Sequence, residues 1–156
     1  MVSNEEISVN KRNGRGKESL NIEKIHSMVG FATEGITGVS ASHVEMNSGI
    51  QFFDGVSTAD IQQILIKSAN DLISLENPNY QYVAARLLLF QLRKQLFHRL
   101  WDHPKFIDHI KTLIDKGLYD KDILVNYDES EIDRMGMWID HERDYNFTYA
   151  GLRQVM

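Results

Sequence analysis

The sequence predicts a mainly α fold with one short β element near its start. Two observations lead there. Apolar residues recur at helical spacing in one stretch after another, whereas strict alternation appears once, at Ile7-Ser8-Val9-Asn10 before the turn signal Asn13-Gly14. No internal repeat, low-complexity tract or long linker interrupts that pattern.

Residues 7–20 read as a β-hairpin, with Gly16 loosening its return arm. Asn21 is a good N-cap residue, and Ile22, Ile25, Met28, Val29 and Ala32 give the first helix its apolar stripe, with Gly35 as the stop. Ser42 and Glu45 have the spacing of a capping box for a shorter second helix. Phe52-Phe53 before Asp54-Gly55 reads as a brief extended piece followed by a turn. A third helix begins at Ser57 or Thr58 and places Ile61, Ile64, Leu65, Ala69, Leu72 and Ile73 on one face. Asn77-Pro78 pairs an N-cap with proline at the first helical position, opening a helix through Val83, Leu87, Phe90 and Leu92 to about Trp101. After His103-Pro104, Phe106, Ile110, Leu113 and Ile114 define another amphipathic helix that ends near Gly117. Residues 129–138 form one more, and 149–155 begin a last helix that stops with the sequence, which leads us to expect a truncated chain.

Length and composition bound the function. The 156 residues suit one domain, or one domain with an appendage, and the composition is 42% hydrophobic and 25% charged, as in ordinary globular proteins. A net charge of −5 argues against sequence-independent nucleic-acid binding, which needs a basic face to displace counterions. With no cysteine, thiolate zinc sites, iron–sulfur clusters and thiol radical chemistry are excluded for this chain. No apolar run approaches the ~20 residues that span a bilayer, and the polar start is no signal peptide. A cytoplasmic setting is expected.

The most interesting polar set is Lys11, Arg12, Glu18, Asn21, Lys24, Thr58 and Lys94. Asn21 and Lys24 share a helical face, and Lys94 shares one with Leu87, Phe90 and Gln91. Lysines and helix N-termini converging on one point make an anion site, and the same residues dispersed over the surface make none. The residues alone leave both readings open. His103, Asp108 and His109 form one polar cluster, and Asp140, His141, Glu142 and Asp144 another. Neither has a ligand spacing that brings its members to one point, so no metal site is expected. No nucleophile stands at recognisable spacing from a histidine, so no catalytic residue is assigned.

Further residues carry a resemblance. Lys11-Arg12-Asn13-Gly14, then Glu18 and Asn21 to His26, resemble the opening of the ATP-cone in class I ribonucleotide reductase large subunits, of the enteric-bacterial and T4-like phage type. The likeness continues through ATEGITGVSASHVEMNSGIQFFDGVSTADIQ and is most specific in ENPNYQYVAARLLLFQLRK, Glu76 to Lys94. Downstream, Ile139 to Gly151 resembles the start of that family's catalytic region.

The resemblance implies a helical bundle capped by a small three-stranded β-sheet over residues 1–98, and a helical segment over 99–156 that leads into a catalytic barrel. It implies binding of ATP or dATP, accompanied by Mg2+, as the switch of overall activity in deoxyribonucleotide synthesis. The nucleotide contacts would fall on Val9, Lys11, Arg12, Glu18, Asn21, Lys24, Thr58 and Lys94. Lys11, Arg12 and Lys94 would neutralise phosphates, Glu18 and Asn21 would address adenine, Lys24 ribose or phosphate, and Thr58 a phosphate. The implied partners are the rest of the large subunit and the small radical-bearing subunit, with neither nucleic acid nor membrane.

Two departures stand out. Many bacterial relatives carry histidine at the positions of Gln62 and Gln91, whereas Asp60, also tied to dATP inhibition, is retained. The hairpin has an extra residue, which leaves the register of Arg15 to Lys17 open. The family's redox cysteines and radical-bearing cysteine have no counterpart, so the chain is expected to be a non-catalytic fragment of the enzyme. Two other classes remain. A stand-alone ATP-cone in a transcriptional repressor normally carries a cysteine-rich zinc ribbon, and a degenerate cone would serve only as a helical interaction module.

Overall fold

A computed structural model describes residues 7–10, 16–49, 51–98 and 102–156. The alternation at Ile7–Asn10 becomes strand β1, Ser8–Asn10, and the return arm becomes β2, Lys17–Ser19. The two pair antiparallel with Val9 opposite Glu18. The expected turn residues Asn13 and Gly14 lie outside the described residues. A third strand, β3 at Val56–Ser57, pairs parallel with β1, with Val9 beside Val56, and completes a mixed sheet in the order β2-β1-β3.

This corrects one expectation. The extended piece follows the Asp54-Gly55 turn, whereas Phe52-Phe53 precede it. The cause is local. Gly55 adopts φ +79°, its N–H donates to the Ser8 carbonyl, and Val56 N–H closes back on the Phe53 carbonyl. Asp54 fastens the turn to β1 by accepting from the Ser8 N–H at 2.9 Å and the Ser8 hydroxyl at 2.6 Å.

Helix α1, Ile22–Thr33, starts as expected, with the Asn21 side chain accepting from the Lys24 N–H. Ile25, Val29 and Ala32 are buried, but Ile22 at the helix entrance is 70% exposed. Helix α2, Ala41–Gly49, begins before the expected capping box. Ser40 holds that place, its hydroxyl accepting from the His43 N–H, while Ser42 is already helical and Glu45 reaches across to His26 at 2.9 Å. Helix α3, Thr58–Asp71, is capped by Ser57, whose hydroxyl accepts from the Asp60 N–H and donates to the Asp60 carboxylate.

Helix α4 spans Tyr80–Phe97, starting after Pro78. The expected first turn instead closes by short bonds, from the Gln81 N–H to the Pro78 carbonyl and from the Tyr82 N–H to that of Asn79. The Asn79 side chain meanwhile donates to the Thr37 carbonyl. The helix is described to Phe97; the expected end at Trp101 lies outside the described residues. Val83, Ala84, Ala85, Leu87, Leu88, Leu89 and Phe90 are all buried. A helix buried around its circumference is a central one, so the single apolar face expected from sequence was too narrow.

The chain divides into two compact units, residues 1–91 with 145–156, and residues 92–144. In the first unit α1 packs on α2 and α2 on α3. The last helix, α8 at Tyr149–Val155, buries Leu152 and is capped by Thr148. Arg86, half-buried on α4, donates at 2.6 Å to the Glu34 carbonyl just beyond α1, and its guanidinium lies 5.3 Å from the centre of the Tyr145 ring. Burial lowers the Arg86 pKa from its usual value, with Tyr145 and Glu34 acting in the opposite sense; a guanidinium stays charged regardless.

The second unit is built on α5, Phe106–Asp115, packed against α7, Glu129–Gly136. Ile107, Ile110 and Ile132 form its core, edged by Ile114, Ile123 and Leu124. Between them lies a short helix α6, Ile123–Asn126, that periodicity did not reveal. A 3-10 turn at His141–Asn146, also unexpected from sequence, follows α7. Among the described residues, the fold is mainly α with a small three-stranded sheet, as the sequence predicts.

Two expectations follow. A Cβ at Gly136 would overlap the Cβ of Phe106, an atom too close to the backbone to swing aside. Gly136→Ala therefore destabilises the chain by about 1–3 kcal/mol, against a helix-propensity gain below about 1 kcal/mol, and equilibrium urea unfolding checks the sign. The second concerns acid. The Ser8 hydroxyl and N–H hold the Asp54 carboxyl below its ordinary 3.8. Its stabilisation is thus complete above the unfolded value and fades as pH falls through the lower folded one. Asp54→Asn should flatten the loss of stability below that ordinary value, measured by denaturant midpoints across the acid range.

Candidate functional site

Strand β1 runs through the middle of the sheet and sets the geometry. Its antiparallel partner β2 leaves the sheet beside Ser8 and feeds α1; its parallel partner β3 leaves beside Asn10 and feeds α3. The two helix starts therefore flank opposite ends of a three-residue strand, offset by about 7 Å along it at ~3.3 Å per residue and by two strand spacings of about 4.8 Å across the sheet. Val9, 3% exposed, holds the centre and packs the sheet from below. Its place among the expected contacts is thus one of backbone, since its side chain is committed to the core.

At the first of these ends, residues 18–24 enclose a concave surface of about 490 Å³. Glu18, Asn21 and Lys24 all line it, so the structure brings three of the expected residues together. Glu18 is half-buried on β2, while Asn21 and Lys24 are exposed on the first turn of α1. The Asn21 Oδ1 is spent on the helix cap, accepting from the Lys24 N–H at 3.0 Å. The concavity lies at the positive end of the α1 dipole with Lys24 in its lining, which suits an anion or a polarised ring edge.

At the other end, Thr58 is the first residue of α3, half-buried beside the terminus of β1. The Asn10 side chain donates to the Gly55 carbonyl at 2.7 Å and closes β1 onto the turn before β3. Lys11 and Arg12 continue from Asn10 and lie outside the described residues. Lys94 is exposed on α4 and falls in the second compact unit.

The two departures have clear structural roles. Gln62 is buried, and its Nε2 donates to the Leu87 carbonyl of α4 at 2.9 Å. Gln91 on α4 accepts from the Gln63 amide of α3 at 2.9 Å. Both positions thus tie α3 to α4. Asp60, the retained position, is engaged in the Ser57 cap.

Sequence reasoning missed Arg86, although a charge inside ARLLLF was the signal that a buried guanidinium would need carbonyl partners. It also treated the two histidine and carboxylate clusters separately. In the second unit His103 and His141, one from each, stack with ring centres 3.5 Å apart. No local spacing could have announced that pairing.

The ATP cone domain family model matches residues 7–95. The chain is 45% identical over 149 residues to the ribonucleoside-diphosphate reductase subunit alpha of Buchnera aphidicola subsp. Acyrthosiphon pisum, covering 96% of this chain and 19% of that relative. It is 43% identical over 152 residues to ribonucleoside-diphosphate reductase 1 subunit alpha of Escherichia coli strain K12, covering 97% of this chain and 20% of the relative. It is also 41% identical over 149 residues to the subunit alpha of Enterobacteria phage T4, covering 96% and 19%. The chain therefore spans about a fifth of the length of these curated relatives, in their N-terminal region. The family match takes in the whole three-stranded sheet, helices α1 to α3 and nearly all of α4, and on that ground the chain belongs to the ATP cone domain family.

Proposed function

We propose that this chain is the nucleotide-sensing regulatory part of a ribonucleoside-diphosphate reductase large subunit, with ATP or dATP as its effector. The observation that carries the proposal is the family match over residues 7–95, joined to the likeness to reductase alpha subunits over nearly the whole chain. Residues 1–98 serve as the regulatory domain, and 99–156 lead toward the catalytic barrel. The partners are the remainder of the large subunit and the small radical-bearing subunit, in the cytoplasm. Among the described residues no helix is long and apolar enough to cross a membrane.

In this reading the concavity at residues 18–24 receives the adenine and ribose. Glu18 accepts from the adenine amino group, and Asn21 addresses the ring through its Nδ2, because its oxygen caps α1. Lys24 serves ribose or phosphate. The triphosphate, with Mg2+, runs along β1 past the Val9 backbone toward Thr58 at the start of α3, and Lys11, Arg12 and Lys94 are the cations that the family resemblance assigns to it. A nucleoside triphosphate easily spans the short strand that separates the two helix starts. The chain itself performs no reduction, since it holds no cysteine for the radical or for the redox pair.

The two glutamines bear on the switch. ATP and dATP differ by one hydroxyl, so they drive different assemblies only if some element binds them with different free energy in two states. Gln62 and Gln91 tie α3 to α4 with neutral amides in place of groups that ionise near neutral pH. This chain should bind both nucleotides and show weak dATP-driven association once restored to a full-length subunit. Sedimentation of that subunit with its small partner decides it, because a larger complex formed with dATP but not ATP rejects the inference.

Binding itself is tested by thermal unfolding with each nucleotide. Ligand at ~100 times its dissociation constant should add about 2.7 kcal/mol of stability. Lys24→Ala and Lys94→Ala should each weaken binding by about 1.5–3 kcal/mol as charge-assisted contacts are lost. Lys67→Ala, which breaks only the exposed pair with Asp71, should leave affinity unchanged. No shift with millimolar nucleotide would mean a degenerate cone kept as a structural module.

A further inference from the structure

The second unit holds a feature that nucleotide sensing does not use. His103, in the extended stretch before α5, and His141 and Asp144, on the 3-10 turn after α7, each offer a ligand atom, and these atoms all lie within 4.8 Å of one another. His141 and Asp144 are three residues apart and so share one face of that turn. His103 and His141 also border a cavity of about 610 Å³, lined further by Phe97, Phe106 and Tyr119.

We propose that His103, His141 and Asp144 form a binding site for one divalent transition-metal cation of the zinc type, open on its remaining side to this cavity. Two imidazoles and a carboxylate with a fourth position left open is a donor set that zinc takes readily. On tetrahedral zinc, with bonds of about 2.0–2.2 Å, neighbouring ligand atoms stand about 3.3 Å apart. Closing from the observed separations therefore asks for side-chain rotation, with the backbone in place. The two rings are nearly parallel, at 6°, and parallel rings aim their lone pairs along parallel lines. Metal uptake must open this stack, which gives binding a local signature.

The surroundings prepare the donors. Burial holds the His103 pKa below the ordinary imidazole value, with Arg93 and His141 pushing the same way and Asp144 and Asp102 opposing, a shift toward the neutral ring that a metal binds. The buried Arg93 guanidinium holds the Asp144 carboxylate at 3.1 Å, fixing its position as an outer-shell partner does for a metal ligand. Phe97 meets the edges of both His103 and His109 and borders the same cavity. Nitrogen donors favour zinc-type ions over magnesium, which prefers an all-oxygen shell, so the site is chemically separate from any Mg2+ accompanying a nucleotide.

The test is calorimetric titration of the full chain with Zn2+, above the ordinary imidazole pKa and with excess Mg2+ present. One equivalent should bind, and His103→Ala and His141→Ala should each weaken it at least about tenfold, the smallest effect expected when even an outer-shell partner is lost. His109→Ala and His26→Ala should leave it unchanged. Absence of saturable binding, or binding that survives both His103→Ala and His141→Ala, overturns the proposal. Should either variant melt abnormally without metal, the wild-type chain still decides. Zn2+ must shift the imidazole proton resonances of His103 and His141 while sparing His26, and a titration that leaves those two unmoved overturns the proposal equally.

Discussion

Three strands of two or three residues cannot hold themselves together in water. They persist because Val9 and Val56 are buried side by side and because Asp54 clamps the turn before β3 onto Ser8. That dependence decides where function can lie. A longer sheet would keep the starts of α1 and α3 too far apart for one small ligand to touch both. The minimal sheet instead keeps them close, and it trades its own stability for that proximity.

The trade is tolerable because α4 is buried around most of its circumference. Tyr80 illustrates how its polar groups are accommodated, with the hydroxyl accepting from the Ser40 N–H and lying 3.3 Å from His43 Nδ1. Arg86 is the harder case, because its Nε is buried and meets no hydrogen-bond partner. An unmet donor of this kind costs about 1–3 kcal/mol. The guanidinium offsets it through the carbonyls at the end of α1 and the face of Tyr145. Gln62 and Gln91 then fasten α3 to the same helix, so α1 and α3 share one spine.

Much of this was legible in the sequence for physical reasons. Asn21, Ser57 and Gly35 act within one turn of where they sit, so caps and stops could be read locally. The alternation at Ile7 to Asn10 likewise announced β1. Where the reading failed, a distant partner had outbid a local rule. Ser42 and Glu45 had capping spacing, but Glu45 was drawn to His26 and Ser40 took the cap. Proline at 78 suited a helix start, but Asn79 bonds to Thr37 and the helix begins at Tyr80. The concavity was partly legible because Glu18, Asn21 and Lys24 are neighbours in the chain. The His103–His141 stack joins positions on either side of α5, α6 and α7, and no spacing rule reaches that far.

The division of the chain has a consequence for biogenesis. The second unit is an insertion within the first, because residues 145–156 return to the unit that residues 1–91 began. At about 5–20 residues per second, synthesis of residues 92–144 delays the closing segment by roughly 3–10 s. During that interval α4 has emerged while Tyr145 and Leu152 have not, so the Arg86 guanidinium and part of the apolar surface stand uncovered. The inserted unit, whose own core closes through local contacts between α5 and α7, can fold completely in the meantime. The nascent chain thus finishes its later-begun part first, and the first unit closes only once α8 has followed.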